Sequence, residues 1–181
     1  MTLPEALTER YGSRIRTSET FGGVTADVEA DDWVGALETA RNAGYAFLDW
    51  LTGVDDAPEG FQIVAHLYDP AARARLLVRT RVPREDPRLP TATGVFRGAN
   101  WHERETFEMF GVVFEGHPNL VPLLLPEGFE GFPLRKDFVL AARVAKAWPG
   151  AKEPGESDRG GAPSRRKTLP PGVPADWGRD E

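Results

Sequence analysis

The densest group of ionisable residues lies in one short stretch, where Glu103, Arg104 and Glu105 are followed by Glu108. At helical spacing Arg104 and Glu108 are neighbours, and Glu105 and Glu108 share one side. Two carboxylates could act as a general acid–base pair, but such a pair needs two different environments to separate its pKa values. The sequence indicates no pocket that would provide them. An ion-paired helix at a structural or subunit interface is therefore the favoured interpretation.

Two smaller polar groups lie further along the chain. Arg135 and Lys136, followed by Asp137, could bind a carboxylate or a phosphate, although an ordinary exposed basic pair explains them equally well. His117 precedes Pro118 at a turn, and no known motif gives it a Ser, Cys or Asp partner. We expect His117 to hydrogen-bond the backbone rather than to catalyse a reaction or bind a metal.

The composition excludes several classes of site. The chain of 181 residues has no cysteine, so it forms no disulfide and supplies no thiolate to zinc or to an iron–sulfur cluster. Its formal net charge of −6 argues against a nucleic-acid binder. It has no nucleotide-binding motif, no apolar run long enough to span a bilayer and no signal-peptide pattern. We expect a protein without a cofactor of its own, located in the cytoplasm or attached to a membrane only through partners.

The first half of the chain predicts an α+β fold. Apolar residues at helical or alternating spacing predict helices over residues 2–11 and 33–44, and strands over residues 24–30, 45–52, 61–68 and 75–82. A strand meander with early helices on one face indicates a two-layer sandwich, with a mostly antiparallel four-stranded sheet. We assign residues 1–90 to this α+β core domain.

The second half changes character after three prolines in residues 83–90. A compact helix is predicted over residues 101–110, capped by Asn100 with Glu103 in a capping box, and ended by Gly111. Residues 112–148 combine many Pro and Gly with many large apolar side chains, which predicts an extended strap ordered mainly by partner subunits. Residues 91–148 thus form a partner-binding segment, and residues 149–181 form a Pro/Gly-rich tail without a core.

Two long motifs resemble a known family. The segment from Trp101 to Leu120 reads WHERETFEMFGVVFEGHPNL, and the later segment from Leu123 to Phe138 contains LLLPE and GFPLRKDF. Together these motifs, about 40 residues in register, resemble the signature of the 30 kDa subunit family of proton-pumping NADH:quinone oxidoreductase, or respiratory complex I. The chain departs from the family pattern at Val121 and Pro122, where basic residues are common, and at Phe132, where the family has histidine.

The resemblance implies a non-catalytic subunit of the peripheral arm, on the cytoplasmic face of a bacterial membrane. Its partners would be the quinone-site subunit, which is related to hydrogenase large subunits, and the neighbouring iron–sulfur subunits. NADH, FMN, the iron–sulfur clusters and quinone would be held by those partners, with no cofactor in this chain. The expected subunit-interface residues are the charged and turn-forming members of the two motifs: Glu103, Arg104, Glu105, Glu108, Gly111, His117, Pro118, Arg135, Lys136 and Asp137.

Three alternatives remain open at this point. Similar subunits occur in energy-converting hydrogenases, in F420 dehydrogenases and in the quinone reductases of plastids and cyanobacteria, and the sequence does not separate these complexes. A stand-alone hydrolase would use Glu103, Glu105 or Glu108. A free binding module would use the basic corner at Arg135 and Lys136.

Overall fold

The computed structural model describes residues 3–20 and 23–139, which fall in one compact unit that ends at Ala141. In chain order the helices and strands are α1 (Leu3–Tyr11), β1 (Ile15–Thr20), β2 (Gly23–Val28), α2 (Trp33–Asn42), β3 (Phe47–Asp56), β4 (Gly60–Asp69), β5 (Ala74–Val82), β6 (Arg88–Pro90), α3 (Ala99–Phe110) and β7 (Val113–Glu115). The tail at 149–181 and the end of the strap at 140–148 lie outside the described residues. The domain boundaries predicted at residues 90 and 148 stay predictions.

The main sheet has five strands in the order β1-β2-β5-β4-β3. Strands β3, β4 and β5 form the expected antiparallel meander, and β1 pairs with β2 antiparallel. Strand β2 pairs with β5 in parallel, so the sheet is mixed. The α+β class is confirmed, but the predicted number of four strands is wrong, because β1 adds a fifth. Three of the four strand pairs are antiparallel, as expected, and the parallel pair of β2 and β5 was not expected. The chain leaves β2 through α2 and enters the sheet again at its far edge, so that the returning meander brings β5 beside β2.

Strand β1 escaped the sequence analysis because its residues are almost all polar. Ile15 is its one large apolar side chain, and this residue is buried. A strand at the edge of a sheet needs little apolar surface, since one side of it has no neighbouring strand. The short parallel pair of β6 and β7 was also missed, because prolines and glycines surround both strands.

The apolar faces of the helices pack against the inner face of the sheet and form one core with it. Leu3, Leu7 and Tyr11 of α1 are buried, as are Trp33 and Leu37 of α2, which confirms both predicted apolar faces. The sheet contributes every second residue of its strands: Leu51, Phe61, Ile63, Ala65, Leu67, Leu76, Val78 and Val82. Helix α3 continues this layer beside β3, where Gly53 lets the Phe110 ring and Thr106 approach the strand.

None of the helices within residues 3–20 and 23–139 has the length and apolar character that crossing a bilayer requires.

Candidate functional site

Helix α3 presents a core-facing stripe that contains two polar residues. Ala99, Glu103, Thr106 and Phe110 recur at spacings of four, three and four, and all are buried. No side chain caps the helix at its N-terminus, which begins after Gly98. The predicted capping box of Asn100 and Glu103 is therefore wrong, because Glu103 lies one turn inside the helix and turns towards the core.

The carboxylate of Glu103 is enclosed by its own chain. The Thr91 hydroxyl donates to its Oε2 at 2.5 Å, and the Ala92 amide donates to its Oε1 at 2.6 Å. Glu103 has no solvent-exposed surface. This burial raises the pKa of Glu103 to about 7, because the charged form loses its hydration and the two hydrogen bonds compensate only in part. Glu103 therefore connects α3 to the loop after β6 and faces no solvent-filled site.

His117 lies beside Glu103 and is bonded to the backbone on both sides of its ring, as predicted. Its Nδ1 accepts a hydrogen bond from the Asn119 amide at 3.0 Å, and its Nε2 donates to the Asn100 carbonyl at 3.2 Å. These partners select the tautomer with hydrogen on Nε2. The 3.9 Å separation between His117 Nε2 and Glu103 Oε2 is thus a contact between two buried polar groups, each with its own hydrogen bonds.

Arg104 and Glu108 hold the strap rather than each other. Arg104 donates from Nε to the Val121 carbonyl at 2.9 Å and from Nη2 to the Pro122 carbonyl at 2.8 Å. The two oxygens of Glu108 accept hydrogen bonds from three consecutive backbone amides, at 2.8–3.2 Å, in Leu123, Leu124 and Leu125. The expected ion pair between Arg104 and Glu108 is therefore wrong. One residue binds the carbonyls of the strap and the other binds its amides.

The C-terminus of α3 is built around Arg135. Gly111 ends the helix with φ of +76°, as predicted, and a Cβ there would lie 2.5 Å from Nη2 of Arg135. Nε of Arg135 donates to the Phe110 carbonyl at 2.7 Å, and the guanidinium lies over the rings of Phe61 and Phe132. Burial lowers the pKa of Arg135 because desolvation disfavours its charge. Phe132, which replaces the family's histidine, thus supplies a cation–π contact here.

Asp55 anchors the far end of the strap, and the sequence analysis missed it. Its carboxylate accepts hydrogen bonds from Arg84 at 2.7 and 3.3 Å and from the Lys136 amide at 2.8 Å. Arg84 also pairs with Asp137 at 3.1 Å. The hydrogen bonds from Arg84 lower the pKa of Asp55 and raise the pKa of Arg84. The available signal was an Asp at an inward position of an alternating strand, which requires a buried partner.

The remaining predicted residues have exposed or half-exposed side chains. Glu105 is half-buried, and no partner for its carboxylate is found within residues 3–20 and 23–139. Pro118 and Lys136 are exposed, and the contact of Lys136 with Asp55 comes from its backbone. For all ten predicted interface residues, contact with another subunit stays a prediction.

The described part of the strap makes many contacts with its own chain, and its ordering by partner subunits stays a prediction. Strand β7 pairs with β6, Phe114 is buried, α3 binds residues 121–125, and β3 binds residue 136. The polar signature residues, which the sequence analysis assigned to other subunits, supply most of these bonds. Several large apolar side chains of α3 and the strap are nevertheless exposed, and they are Trp101, Val121, Leu124, Phe129, Leu134 and Val139.

The arrangement offers little for catalysis or for metal binding. Within the described residues, no group of three or more His, Asp or Glu side chains is placed to hold a metal ion. Glu108 lines a groove of about 420 Å³ together with Phe107, Leu125, Phe129 and Phe132, but its oxygens are engaged by backbone amides. Three phenylalanines, two prolines and Leu125 make the groove mainly apolar, with Glu127 as its other acidic residue.

Comparison with known proteins gives consistent matches. A family model described as the 30 kDa subunit of respiratory-chain NADH dehydrogenase matches residues 26–144. The chain is 39% identical over 149 residues to an NADH-quinone oxidoreductase subunit of Rhizobium meliloti (strain 1021), covering 78% of this chain and 73% of that protein. It is 46% identical over 155 residues to an NADH-quinone oxidoreductase subunit of Rhizobium etli (strain CIAT 652), covering 81% of each.

Solved structures show the same fold. The trypsin-resistant fragment of Nqo5 superposes with a TM-score of 0.59 at 31% identity, over 66% of this chain and all of that one. A chain of the membrane-bound sulfane sulfur reductase, an archaeal respiratory membrane complex, gives a TM-score of 0.71 at 24% identity over 86% of this chain, which shows likeness of fold. With the family model spanning α2, the meander, α3 and the described strap, the chain belongs to the family of the 30 kDa subunit of respiratory-chain NADH dehydrogenase.

Proposed function

We propose that the chain is a non-catalytic subunit of the peripheral arm of a proton-translocating NADH:quinone oxidoreductase. In this role it braces the quinone-site subunit and the iron–sulfur subunits and holds no cofactor itself. It lies on the cytoplasmic face of the bacterial plasma membrane and is attached there through its partners. Its relatives are subunits of NADH-quinone oxidoreductases, which supports this assignment.

One observation carries the proposal: the signature residues fix the strap backbone while its large side chains face outward. Arg104 and Glu108 satisfy consecutive carbonyls and amides of the strap, so this segment needs no regular secondary structure of its own. Leu124 is nevertheless 62% exposed, and Trp101 on α3 is 65% exposed. Large apolar groups held rigidly at a surface are typical of a protein–protein interface.

A groove between α3 and the strap forms part of this exposed surface. Phe107 from the helix and Phe129 and Phe132 from the strap line it, together with Leu125. A rigid apolar pocket of this kind accepts one side chain of a partner, and such anchors dominate binding energy at interfaces. Leu125, whose amide Glu108 binds, and Pro122, whose carbonyl Arg104 binds, both line the groove, so the signature acts on this surface through the strap.

The same geometry disfavours the hydrolase. Glu103 is sealed from solvent, and Glu108 accepts four hydrogen bonds from the strap. A general acid or base must come within hydrogen-bond reach of the substrate proton that it transfers. Glu108 meets this requirement only if the strap is released, and Glu103 only if the loop at Thr91 and Ala92 opens. The third candidate, Glu105, is half-buried and has no partner among the described residues with which to form an acid–base pair. The basic corner gives little support to a free binding module, because Arg135 is covered by two rings and bound to the Phe110 carbonyl.

The proposal is tested by replacing the native gene with one that encodes a Leu124→Asp variant. We expect the variant chain to fold but to leave the complex, with loss of NADH:quinone reductase activity in isolated membranes. Ala72→Asp is the matched control, since it introduces the same charge at an exposed turn far along the chain from the strap. Full assembly and activity of the Leu124→Asp variant would contradict this use of the strap.

Identification of the proteins that co-purify with the wild-type chain tests the role itself. We expect NADH-oxidising, iron–sulfur and quinone-site subunits. Co-purification with hydrogenase or F420-dependent subunits would assign the chain to the related complexes instead. The purified chain alone is expected to show no visible absorption band and no oxidation of NADH, and either observation would contradict a cofactor-free role.

A further inference from the structure

Strand β3 carries a bulge that changes the direction of its side chains. Its pairing with β4 shifts between Leu48 and Trp50, so that Leu48 opposes Leu67 and Trp50 opposes His66. In a regular strand Phe47 would share a face with Leu51, four residues on, because side chains alternate. The extra residue, Asp49, breaks that alternation and places Phe47 opposite Tyr68, on the outer face of the sheet.

The bulge therefore collects large apolar side chains on the face that does not contact the helices. Phe47 is 54% exposed, Trp50 is 36% exposed and Val54 is 45% exposed. All three lie on one ten-residue strand at the edge of the sheet. Exposed apolar side chains on a long edge strand favour aggregation, so natural proteins usually replace them with charges or cover them. Their presence here indicates a surface that another chain covers.

The indole of Trp50 is held in place before any partner arrives. It stacks on the His66 ring, with the ring centroids 5.4 Å apart and the planes 13° apart. The Asp49 carboxylate hydrogen-bonds Nδ1 of His66 at 3.0 Å and so fixes the imidazole. A pre-oriented aromatic ring loses little conformational entropy on binding, which is the property of an interface anchor.

A cavity of about 220 Å³ opens beside this stack. Trp50 and Leu77 line it with apolar groups, His66 lines it beside the indole, and Arg75 contributes the charged group. Two other arginines of this face are paired within the chain: Arg79 with Asp27 at 2.7 Å, and Arg81 with Asp56 at 2.5 Å.

Arg75 differs from these arginines. Within residues 3–20 and 23–139, no hydrogen-bond or ion-pair partner is found for its guanidinium. The surface thus presents an oriented indole next to a cation that its own fold does not use. The complementary partner carries an apolar side chain next to a carboxylate, since a guanidinium binds a carboxylate bidentately.

We propose that the outer face of β3 is a second docking surface, which binds a segment of a neighbouring subunit with an apolar residue next to an Asp or Glu. The apolar residue packs on Trp50 and Leu77, and the carboxylate pairs with Arg75. This inference rests on the proposed function, because it requires a complex to dock into. It adds a contact on the side of the sheet opposite to the helices, independent of the strap.

The first test compares Arg75→Glu with Arg73→Glu in the complete complex. Both arginines are exposed residues of the same β4–β5 region, and only Arg75 lines the cavity. Arg75→Glu places a carboxylate against the carboxylate of the partner, and we expect association of the chain with the complex to weaken roughly 30-fold or more. Arg73→Glu is expected to leave this association unchanged. Equal melting temperatures of the free variants establish that both chains fold. Wild-type association of Arg75→Glu would overturn the inference.

The second test uses the absence of cysteine from the chain. Phe47→Cys introduces a single thiol on the proposed surface, and Ala72→Cys introduces one at an exposed turn. The complex is treated with a maleimide reagent, and this chain is then separated by denaturing electrophoresis. We expect the Phe47→Cys thiol to react in the free chain and to lose most of its labelling in the complex, while the Ala72→Cys thiol reacts in both.

The outcomes separate the two proposals. Equal labelling of the Phe47→Cys thiol in the free chain and in the complex would overturn the docking surface and leave the subunit role standing. Protection already in the free chain, with light scattering that shows a dimer, would assign the face to a second copy and overturn the heterologous partner. If the wild-type chain brings no other subunit with it, the proposed function fails, and the docking surface fails with it.

Discussion

The five-stranded sheet and the strap are stabilised by different kinds of contact. The sheet buries one continuous apolar face, in which Ile63 and Leu67 of β4 are fully covered. Beyond β7, the strap is instead held at a few points, where Glu108, Arg104 and Asp55 bind its backbone. Apolar burial is non-directional and shared among many neighbours, whereas a hydrogen bond depends on one pair of atoms. Loss of a core side chain therefore weakens the whole unit, and loss of an anchor releases one segment.

The largest expected effect follows from a core deletion. Ile63→Ala removes a fully buried side chain from the centre of the sheet, and we expect unfolding free energy to fall by about 2–5 kcal/mol. Chemical denaturation of the free chain measures this change, and sheet and strap are expected to lose their structure in one transition. Val54→Ala, an exposed apolar residue on the neighbouring strand, is the control and is expected to cost at most about 0.5 kcal/mol.

The next largest effect is a pH dependence of stability that comes from Glu103, whose carboxylate faces the core, whereas those of Glu108 and Asp55 bind the strap. The pKa of Glu103 is raised to about 7, so its contribution to stability is complete below its ordinary value of 4.5 and is lost as pH rises through about 7. Glu103→Gln removes this titration while keeping an acceptor for Ala92. Between pH 5 and pH 8 the wild type is expected to lose about 2–3 kcal/mol relative to the variant. Parallel stability curves of the two proteins would contradict the assignment.

A smaller and local effect is expected when an anchor of the strap is removed. Glu108→Ala leaves three amides of the strap without their acceptor, which costs about 1.5–3 kcal/mol because the lost bonds are made to a charged group. Hydrogen exchange at residues 123–125 is expected to accelerate, while exchange in β4 and β5 stays slow. Glu105→Ala, on the same helix, is the control. Uniform acceleration across the sheet would show that strap and core open as one unit.

The smallest effect is expected at Lys136, whose role lies in its backbone. Its amide binds Asp55, and its side chain is exposed. Lys136→Ala is therefore expected to change the melting temperature of the free chain little, by the equivalent of at most about 0.5 kcal/mol. A loss above about 1 kcal/mol would show that the side chain contributes to holding the strap.

The elements that the sequence analysis missed share one property. Strand β1 has a single large apolar residue, and β6 and β7 are only three residues long. None of the three strands therefore shows an alternation of apolar and polar residues. The parallel pairing of β2 with β5 joins residues about 50 positions apart, such as Ala26 and Val78. No local pattern carries that information, because alternation shows which face of a strand is buried but does not identify its neighbour.

In the candidate site, too, local spacing predicted the position of each residue on its helix but not its partners. Spacing put Arg104 and Glu108 on adjacent turns of α3, and the position on the helix was right. Their partners were wrong, because an i, i+4 pair of opposite charges predicts an ion pair only when no better partner is within reach. The free carbonyls and amides of the strap lie there in the folded chain, and they bind both side chains.

The sequence by itself determined the α+β class, the apolar faces of α1 and α2, the end of α3 at Gly111 and the family. These features depend on residues close together in the chain or on a long contiguous motif. The tertiary structure decided the strand order, the enclosure of Glu103, the use of Asp55 and the outward turn of Phe47 at the bulge. Each of these depends on which distant groups meet, and hydrogen-bond partners and burial exist only once the chain has folded.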